Sequence, residues 1–421
     1  MSAPASSTAP PPSSEVPPTP PASHPVVKRR RGRGAIYGAV AAVLVVLILV
    51  GVGYSTNWYG LQKSSAPPAC SSGIALQGDG AQVATALMGV WTPAYHQLTN
   101  NTVNLPSPLS GSGTGLSHFT AGSLDFAMTD NPLTPAERLG LPTPALTLPF
   151  VGGALTIIYN LPGLTGHLNL TGSILAQIYI GNITTWNNSQ IRAINPGVNL
   201  PAQTILTVHR SDSAGTTYVL SDFLSQSSAY WATTVGKGMS IQFPTAPKQT
   251  AVHGNSAVIT TVTSNSYSIG YSDLTDILEA ASPPQYAAIQ NPAQNFIVPT
   301  IQNTESAILD KVQSMKSIPI SAGDWYNVSM VKANGTGDYP IATLLYMYVY
   351  QAASKGFDPS LAKTQVLIQW VHWAITTGQA LTDETSPTAL YYAPLPSSLV
   401  AVDQAGLQSI TYNGASIPSC T

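Results

Sequence analysis

Three turns rich in glycine and serine constrain the fold of this chain most strongly. They read "QGDGAQ" at residues 77–82, "SGSGTG" at 110–115 and "SDSAGTT" at 211–217, and each lies between a strand-like apolar run and a helix-like stretch. A repeated order of strand, turn and helix predicts an α/β architecture. The 421 residues exceed what one hydrophobic core usually serves, so we expect two lobes.

The same turns predict an anion site. The first N–H groups of a helix have no partner within the helix, and they carry a partial positive charge. Glycine lets the backbone approach a ligand closely, and hydroxyl side chains add donors. Several such turns directed at one point would bind an oxyanion with little net charge. The alternative is that each turn only caps its helix, since capping sequences look the same.

Charge is scarce in this sequence. Only 8% of residues are charged, against about 25% in ordinary soluble domains. Beyond the N-terminal segment the arginines are Arg138, Arg192 and Arg210. Because Arg210 adjoins the third turn, it is the candidate for a charge-assisted contact to an oxyanion; a surface ion pair with Asp212 is the alternative. No basic block follows the N-terminus, which argues against nucleic acid as a partner.

The first 70 residues predict a membrane anchor. Residues 1–34 form a Pro-rich tail with a basic cluster, typical of a disordered segment. Residues 35–54 are an uncharged apolar run, long enough to cross a bilayer as a helix. The basic flank predicts a cytoplasmic tail and an extracytoplasmic binding domain after the linker 55–70. We therefore expect an uncleaved signal anchor, with a cleaved signal peptide as the alternative.

Two features follow from an extracytoplasmic location. Cys70 and Cys420 are the only cysteines, and an oxidising medium predicts a disulfide between them, with two free thiols as the alternative. Glycosylation is possible at the Asn-x-Ser/Thr sequences, although a chain so rich in Ser and Thr forms them by chance. These sequences begin at Asn100, Asn169, Asn182, Asn187, Asn327 and Asn334.

The sequence does not predict an enzyme or a metal site. The histidines lack the spacing of metal ligands. The second turn reads G-S-G-T-G over residues 111–115, so it fails the nucleophile-elbow motif.

Other patterns give the remaining secondary structure. Residues 144–163 predict two β-like runs around a glycine pair. Residues 339–354, "YPIATLLYMYVYQAAS", and 359–378, "PSLAKTQVLIQWVHWAITTG", are interpreted as long helices with an apolar face.

Several stretches occur in an order that resembles a known family. "IYIGNITTWNN", "INPG" and "HRSDSAGTT" follow one another, within a resemblance that covers most of residues 76–400. The chain is similar to the phosphate-binding proteins of ABC phosphate importers, which are type II solute-binding proteins. The resemblance implies a two-lobed periplasmic-binding-protein-like fold, with lobe one at 71–150 plus 320–421 and lobe two at 151–319. It implies capture of inorganic phosphate for the ABC permease subunits, without a cofactor.

The resemblance also implies a set of site residues. Asp212 would orient Arg210 from behind the site, and Asp130 would accept a hydrogen bond from a protonated ligand, which phosphate offers and sulfate does not. The implied phosphate-binding residues are Gln82, Val83, Ser112, Asp130, Arg210, Ala214, Gly215 and Thr216.

The sequence departs from the family at three of these positions. The family usually has threonine and an aromatic residue where this chain has Gln82 and Val83, and a hydroxyl residue where it has Ala214. Each lost hydroxyl donor would weaken binding by about 1–3 kcal/mol unless another group compensates. The alternatives are a binding protein or sensor for another oxyanion and, from another class, a surface phosphohydrolase.

Overall fold

The computed structural model describes residues 71–382 and 390–418. The predicted tail, anchor and linker, together with Cys70 and Cys420, lie outside these residues. Within them, none of the helices combines the length and the apolarity needed to cross a membrane.

One long mixed sheet organises the described chain. Its strands are β1 (Ala75–Gly80), β2 (Thr102–Asn104), β3 (Phe126–Thr129), β4 (Ala145–Tyr159), β6 (Leu206–Arg210), β7 (Gln249–Val252), β8 (Ser268–Asp273), β9 (Gln285–Tyr286) and β12 (Ala342–Tyr350). Their order in the sheet is β2-β1-β3-β12-β4-β8-β6-β7, and β9 also pairs with β4. Neighbours β2, β1 and β3 are parallel, as are β8, β6 and β7, whereas β12 and β4 run antiparallel to their neighbours.

Two small sheets complete the β structure. A three-stranded sheet contains β5 (Asn169–Leu170), β10 (Ala288–Gln290) and β11 (Phe296–Ile297), and a hairpin contains β13 (Thr411–Tyr412) and β14 (Ala415–Ser416).

Helices follow most strands, as the sequence predicts. The α-helices are α1 (Thr85–Thr99), α2 (Ser112–Thr120), α3 (Pro135–Gly140), α4 (Gly172–Tyr179), α5 (Ser189–Ala193), α6 (Gly215–Ser227), α7 (Ala229–Thr234), α8 (Asn255–Ser264), α9 (Leu274–Glu279), α10 (Ile301–Ser314), α11 (Leu361–Ile375) and α12 (Ser397–Gln408). Short 3-10 helices lie at Gln82–Ala84, Ala353–Lys355 and Thr377–Leu381.

Strand β4 joins two lobes. Its first half contributes Leu146, Leu148, Phe150 and Val151 to the cluster around Trp91 and Trp370. Its second half contributes Ala154, Leu155, Ile157 and Tyr159 to the cluster around Trp186 and Trp231. We call the part built on β1, β2, β3 and β12 the first lobe, and the part built on β6, β7 and β8 the second lobe. The two predicted β-like runs are confirmed as strand, but their separation at the glycine pair is wrong, because a single strand continues through the two glycines between these clusters.

The prediction of a helix over 339–354 is also wrong, because most of this stretch forms the strand β12. Alternate side chains of β12 enter two different apolar clusters: Leu345 and Met347 pack on one face, and Leu344 and Tyr346 pack on the other. A central strand that is buried on both faces reads as a continuous apolar run, which hides its two-residue period. The helix predicted over 359–378 is confirmed by α11.

One helix, α10, lies within residues 151–319, which the resemblance implies for lobe two. Ala307, Ile308 and Val312 of α10 pack with Phe119 and Leu344. This helix therefore packs with the first lobe, although it precedes residue 320.

Candidate anion-binding site

The parallel strands of both lobes direct their carboxyl ends toward one cavity. A volume of about 170 Å³ is lined by residues from all three glycine-rich turns and from a fourth turn before α8. The lining residues are Gln82, Val83, Gly111, Ser112, Asp130, Arg210, Ala214, Gly215, Thr216 and Asn255. The structure thus brings together all eight predicted binding residues.

Four helix starts around the cavity lack a side-chain cap. The N-cap residues are Ala81, Gly111, Ala214 and Gly254, and none accepts a hydrogen bond through its side chain from its own helix. By contrast, Thr171, Thr300 and Ser360 cap helices elsewhere in the usual way. Uncapped N–H groups at several helix starts form the electropositive surface that an anion needs.

The first two turns are held together by Asp79. Its Oδ1 accepts hydrogen bonds from the N–H of Gly80 at 2.7 Å and of Ser110 at 3.0 Å. The N–H of Gly111 donates to the carbonyl of Gly80 at 2.8 Å. A Cβ on Gly115 would lie 2.5 Å from the Cα of Gly80, so glycine is required for the start of α2 to approach the first turn this closely.

Arg210 is a buried cation whose guanidinium donates to three side chains. It is 5% exposed. Its Nε donates to Oδ1 of Asp212 at 2.7 Å, and its Nη2 donates to Oδ2 of the same carboxylate. Its Nη1 donates to Oγ1 of Thr216 at 3.3 Å and to Oδ1 of Asn255. Asp212 therefore holds one side of the guanidinium, as the resemblance implies, and turns the other toward the cavity.

The ion pair shifts the pKa of both partners. Burial alone would lower the pKa of Arg210, but the hydrogen bonds and the charge of Asp212 raise it overall. Burial alone would raise the pKa of Asp212, but the contacts with Arg210 lower it overall. Both groups therefore stay ionised at neutral pH, and the Arg210 guanidinium that lines the cavity stays cationic.

Asp130 faces this cation from the first lobe. It is 3% exposed, and its Oδ1 accepts a hydrogen bond from Oγ of Ser112 at 2.5 Å. Burial raises the pKa of Asp130, and the bond from Ser112 and the charge of Arg210 offset part of this rise. The carboxylate adds an acceptor to a cavity that otherwise offers donors, so it can distinguish a ligand that carries a proton.

Gly111 and Asn255 line the cavity but are not among the predicted binding residues, and Asn255 lies outside all three predicted turns. Its Nδ2 donates to Oδ2 of Asp273 at 2.9 Å and to Oδ2 of Asp276 at 2.6 Å, while its Oδ1 accepts from Arg210. Burial raises the pKa of Asp276 to about 7 and raises that of Asp273 well above its usual range. The available signal was a fourth turn, "HGNS" at 253–256, which also precedes a helix and contains a glycine.

The structure shows the contacts of Ala214, where the family has a hydroxyl residue, and of its neighbour Ser213. The backbone N–H of Ala214 donates to the carbonyl of Met239 at 3.0 Å. The neighbouring Ser213 faces Gly113, because a Cβ on that glycine would lie 2.4 Å from the Ser213 Oγ. Ser213 therefore packs between the lobes and does not replace a donor in the cavity.

Comparisons with known proteins give the family. The sequence profile described as the PBP superfamily domain matches residues 62–375. The phosphate-binding protein PstS of Xylella fastidiosa (strain Temecula1) is 31% identical over 348 residues, which cover 80% of this chain and 86% of that protein. This chain belongs to the PstS family. The PstS protein of Pasteurella multocida is 32% identical to this chain, and the match covers 78% of this chain and 89% of that protein.

A solved structure supports the same fold. The phosphate-binding protein from Stenotrophomonas maltophilia superposes on this chain with a TM-score of 0.56 and 19% sequence identity. The match covers 79% of this chain and 93% of that protein. The predicted α/β, two-lobed, periplasmic-binding-protein-like fold is therefore confirmed for this PstS-family chain.

Proposed function

We propose that this protein binds inorganic phosphate between its two lobes and delivers it to the permease of an ABC transporter. The observation that carries the proposal is that Arg210 and Asp130, from different lobes, line one cavity. Arg210 and the uncapped helix starts neutralise the anion, and Asp130 accepts a hydrogen bond from its remaining proton. The PstS relatives, which are named as phosphate-binding proteins, support this ligand.

The same pairing favours phosphate over sulfate. Near neutral pH phosphate retains a proton and sulfate does not, so sulfate would leave the Asp130 carboxylate without a donor in a desolvated site. Unsatisfied buried polar groups cost about 1–3 kcal/mol, and more when charged. The selectivity would come partly from repulsion between the Asp130 carboxylate and a fully deprotonated anion. The protein would act as a binding protein and not as an enzyme.

Isothermal titration of the full-length chain, purified in a mild detergent, tests this proposal. Phosphate is expected to bind, and sulfate at the same concentration is expected to give no saturable heat. Arsenate, which also carries a proton, should bind like phosphate. The absence of phosphate binding between micromolar and millimolar concentrations would overturn the proposal. Saturable binding of another oxyanion instead would establish the alternative of a different binding protein or sensor.

We also propose that residues 35–54 anchor the protein as a single-pass helix, with the binding domain extracytoplasmic. The uncharged run and its basic flank support this arrangement. Protease treatment of intact cells should remove the binding domain and leave the N-terminal tail protected. A mature protein that begins after residue 54 would instead show that the segment is a cleaved signal peptide.

The two cysteines and the glycosylation sequences belong to the same proposal. We expect a disulfide between Cys70 and Cys420, and mass spectrometry of unreduced peptides that found both thiols free would contradict it. Among the described sequences, exposed asparagines can accept a glycan, whereas Asn169 is half-buried and donates to the carbonyl of Ile194 at 3.2 Å. The exposed candidates are Asn100, Asn182, Asn327 and Asn334.

A further inference from the structure

Gln82 forms a hydrogen bond across the cleft. It lies in the 3-10 turn that follows β1 in the first lobe, and its Oε1 accepts from the backbone N–H of Asn255 at 3.1 Å. Asn255 is the first residue of α8 in the second lobe, and the N-cap Gly254 provides no side-chain oxygen. The first lobe therefore supplies the oxygen that pairs the uncapped N–H of a second-lobe helix.

The contact fixes the orientation of the Gln82 amide. A backbone N–H can only donate, so the amide oxygen faces Asn255 and the amide nitrogen is left as a donor. The amide packs on Gly254, where an added Cβ would lie 3.4 Å from both its oxygen and its nitrogen. Gln82 also lines the anion cavity, so one side chain takes part in both the lobe contact and the cavity wall.

We propose that Gln82 is a positioning residue that stabilises the closed arrangement of the lobes and thereby slows release of the ligand. A hydrogen bond between the lobes exists only when they are closed, so it stabilises that state alone. The same hydrogen bond holds the backbone of Asn255 at the start of α8, and the Asn255 side chain contacts Arg210. This inference rests on the proposed function for its ligand, phosphate, but not for the contact itself.

Two variants separate the role of the Gln82 oxygen, which accepts from Asn255, from that of the Gln82 amide nitrogen, which is left as a donor. Gln82→Leu keeps much of the side-chain volume and removes both the acceptor and the donor. Gln82→Glu keeps an acceptor for the Asn255 N–H but replaces the amide donor with a negative charge. Gln97→Leu is the matched control, because Gln97 is an exposed glutamine on α1 of the same lobe.

The experiment uses the full-length chain with a pair of fluorophores on the exposed residues Leu139 and Tyr230, one in each lobe. Energy transfer in single molecules gives the closed fraction without ligand and with phosphate. Stopped-flow displacement gives the phosphate dissociation rate. Gln82→Leu should lower the closed fraction and speed dissociation about 2- to 10-fold, the range that one hydrogen bond supports. Gln82→Glu should retain the ligand-free closed fraction and weaken phosphate binding.

The two proposals fail in different ways. If Gln82→Leu and Gln97→Leu give the same closed fractions and dissociation rates, the inference about Gln82 is overturned while phosphate binding stands. If the unsubstituted chain does not bind phosphate, the proposed function fails. The ligand-free closed fractions then still decide whether Gln82 stabilises the closed lobes.

Discussion

Gly215 of the second lobe presents a bare Cα to the carboxylate of Asp130 in the first. A Cβ at this position would lie 1.6 Å from Oδ1 and 2.1 Å from Cγ of Asp130, far inside any tolerated contact. Ser112 donates to the same carboxylate, so Asp130 cannot move away without losing that hydrogen bond. The absence of a side chain at residue 215 is therefore a condition for the lobes to approach as they do.

The first prediction is that Gly215→Ala prevents this approach. Gly215 begins helix α6, where alanine is a better helix former than glycine, so the second lobe should still fold. The lobes would have to stay apart, and phosphate affinity should fall at least about 10-fold, equivalent to the loss of ~1.4 kcal/mol or more. Isothermal titration checks the affinity, and thermal unfolding checks that the variant is folded.

Gly89→Ala is the matched control. Gly89 lies in α1, is exposed, and has no atom within 4 Å of an added Cβ. Its substitution should leave the affinity unchanged. Equal affinities for Gly215→Ala and Gly89→Ala would show that the contact between Gly215 and Asp130 does not govern closure.

The local parts of this site could be predicted from the sequence. A glycine-rich turn between a strand and a helix is specified by adjacent residues, so the positions of Ser112, Arg210 and Thr216 at helix starts or strand ends followed from pattern alone. Their assembly around one cavity requires the two lobes to face each other, which the three turns made plausible but could not establish. The resemblance to a family supplied the expectation that these residues share one site.

The parts that could not be predicted depend on distant contacts. Strand β12 is buried by two clusters on its two faces, and no local pattern distinguishes such a strand from a buried helix. The importance of Asn255 comes from Arg210, Asp273 and Asp276, which its side chain contacts from separate elements. The contact of Gln82 with Asn255 spans the cleft, so neither turn alone indicates it.

The second prediction concerns the orientation of Arg210. Asp212→Asn removes the charge and leaves one oxygen at residue 212 to accept from the guanidinium, where the carboxylate has two. Phosphate affinity should fall by up to about 10-fold, the range for the loss of one ordinary hydrogen bond. Arg210→Ala should reduce it at least about 100-fold, because a buried charge is lost.

Arg192→Ala is the control for the arginine variant, since Arg192 is exposed on α5. Titration in low and high salt adds a second readout. Salt should weaken binding little in the unsubstituted chain, because the ion pair of Arg210 is buried. If Arg210→Ala and Arg192→Ala bind phosphate equally well, Arg210 is not the cationic anchor of the site.

The third prediction concerns selectivity at Asp130. Asp130→Asn keeps an oxygen that accepts from Ser112 and adds an N–H group that donates to a fully deprotonated anion. The ratio of phosphate affinity to sulfate affinity should therefore fall by about 10-fold or more. Titrating each anion into the variant and the unsubstituted chain measures this ratio. Unchanged selectivity would mean that a group other than Asp130 accepts the hydrogen bond from the ligand proton.

The last prediction concerns the carboxylates around Asn255. The pKa of Asp276 is raised by burial to about 7, above its value of about 4 in an unfolded chain. Its contribution to stability is therefore complete below about pH 4 and is lost as the pH rises through about 7, because the unfolded chain releases the proton more readily.

The substitution Asp276→Asn keeps an oxygen for the Nδ2 of Asn255 and removes this titration. Urea unfolding from pH 4 to pH 8 should show the variant gaining stability relative to the unsubstituted chain as the pH rises, whereas Glu305→Gln, an exposed change on α10, should show no such gain. Asp273 still titrates in the variant, so the pH dependence should be reduced rather than abolished. A constant difference between the two chains across this range would show that Asp276 carries no raised pKa in the folded protein.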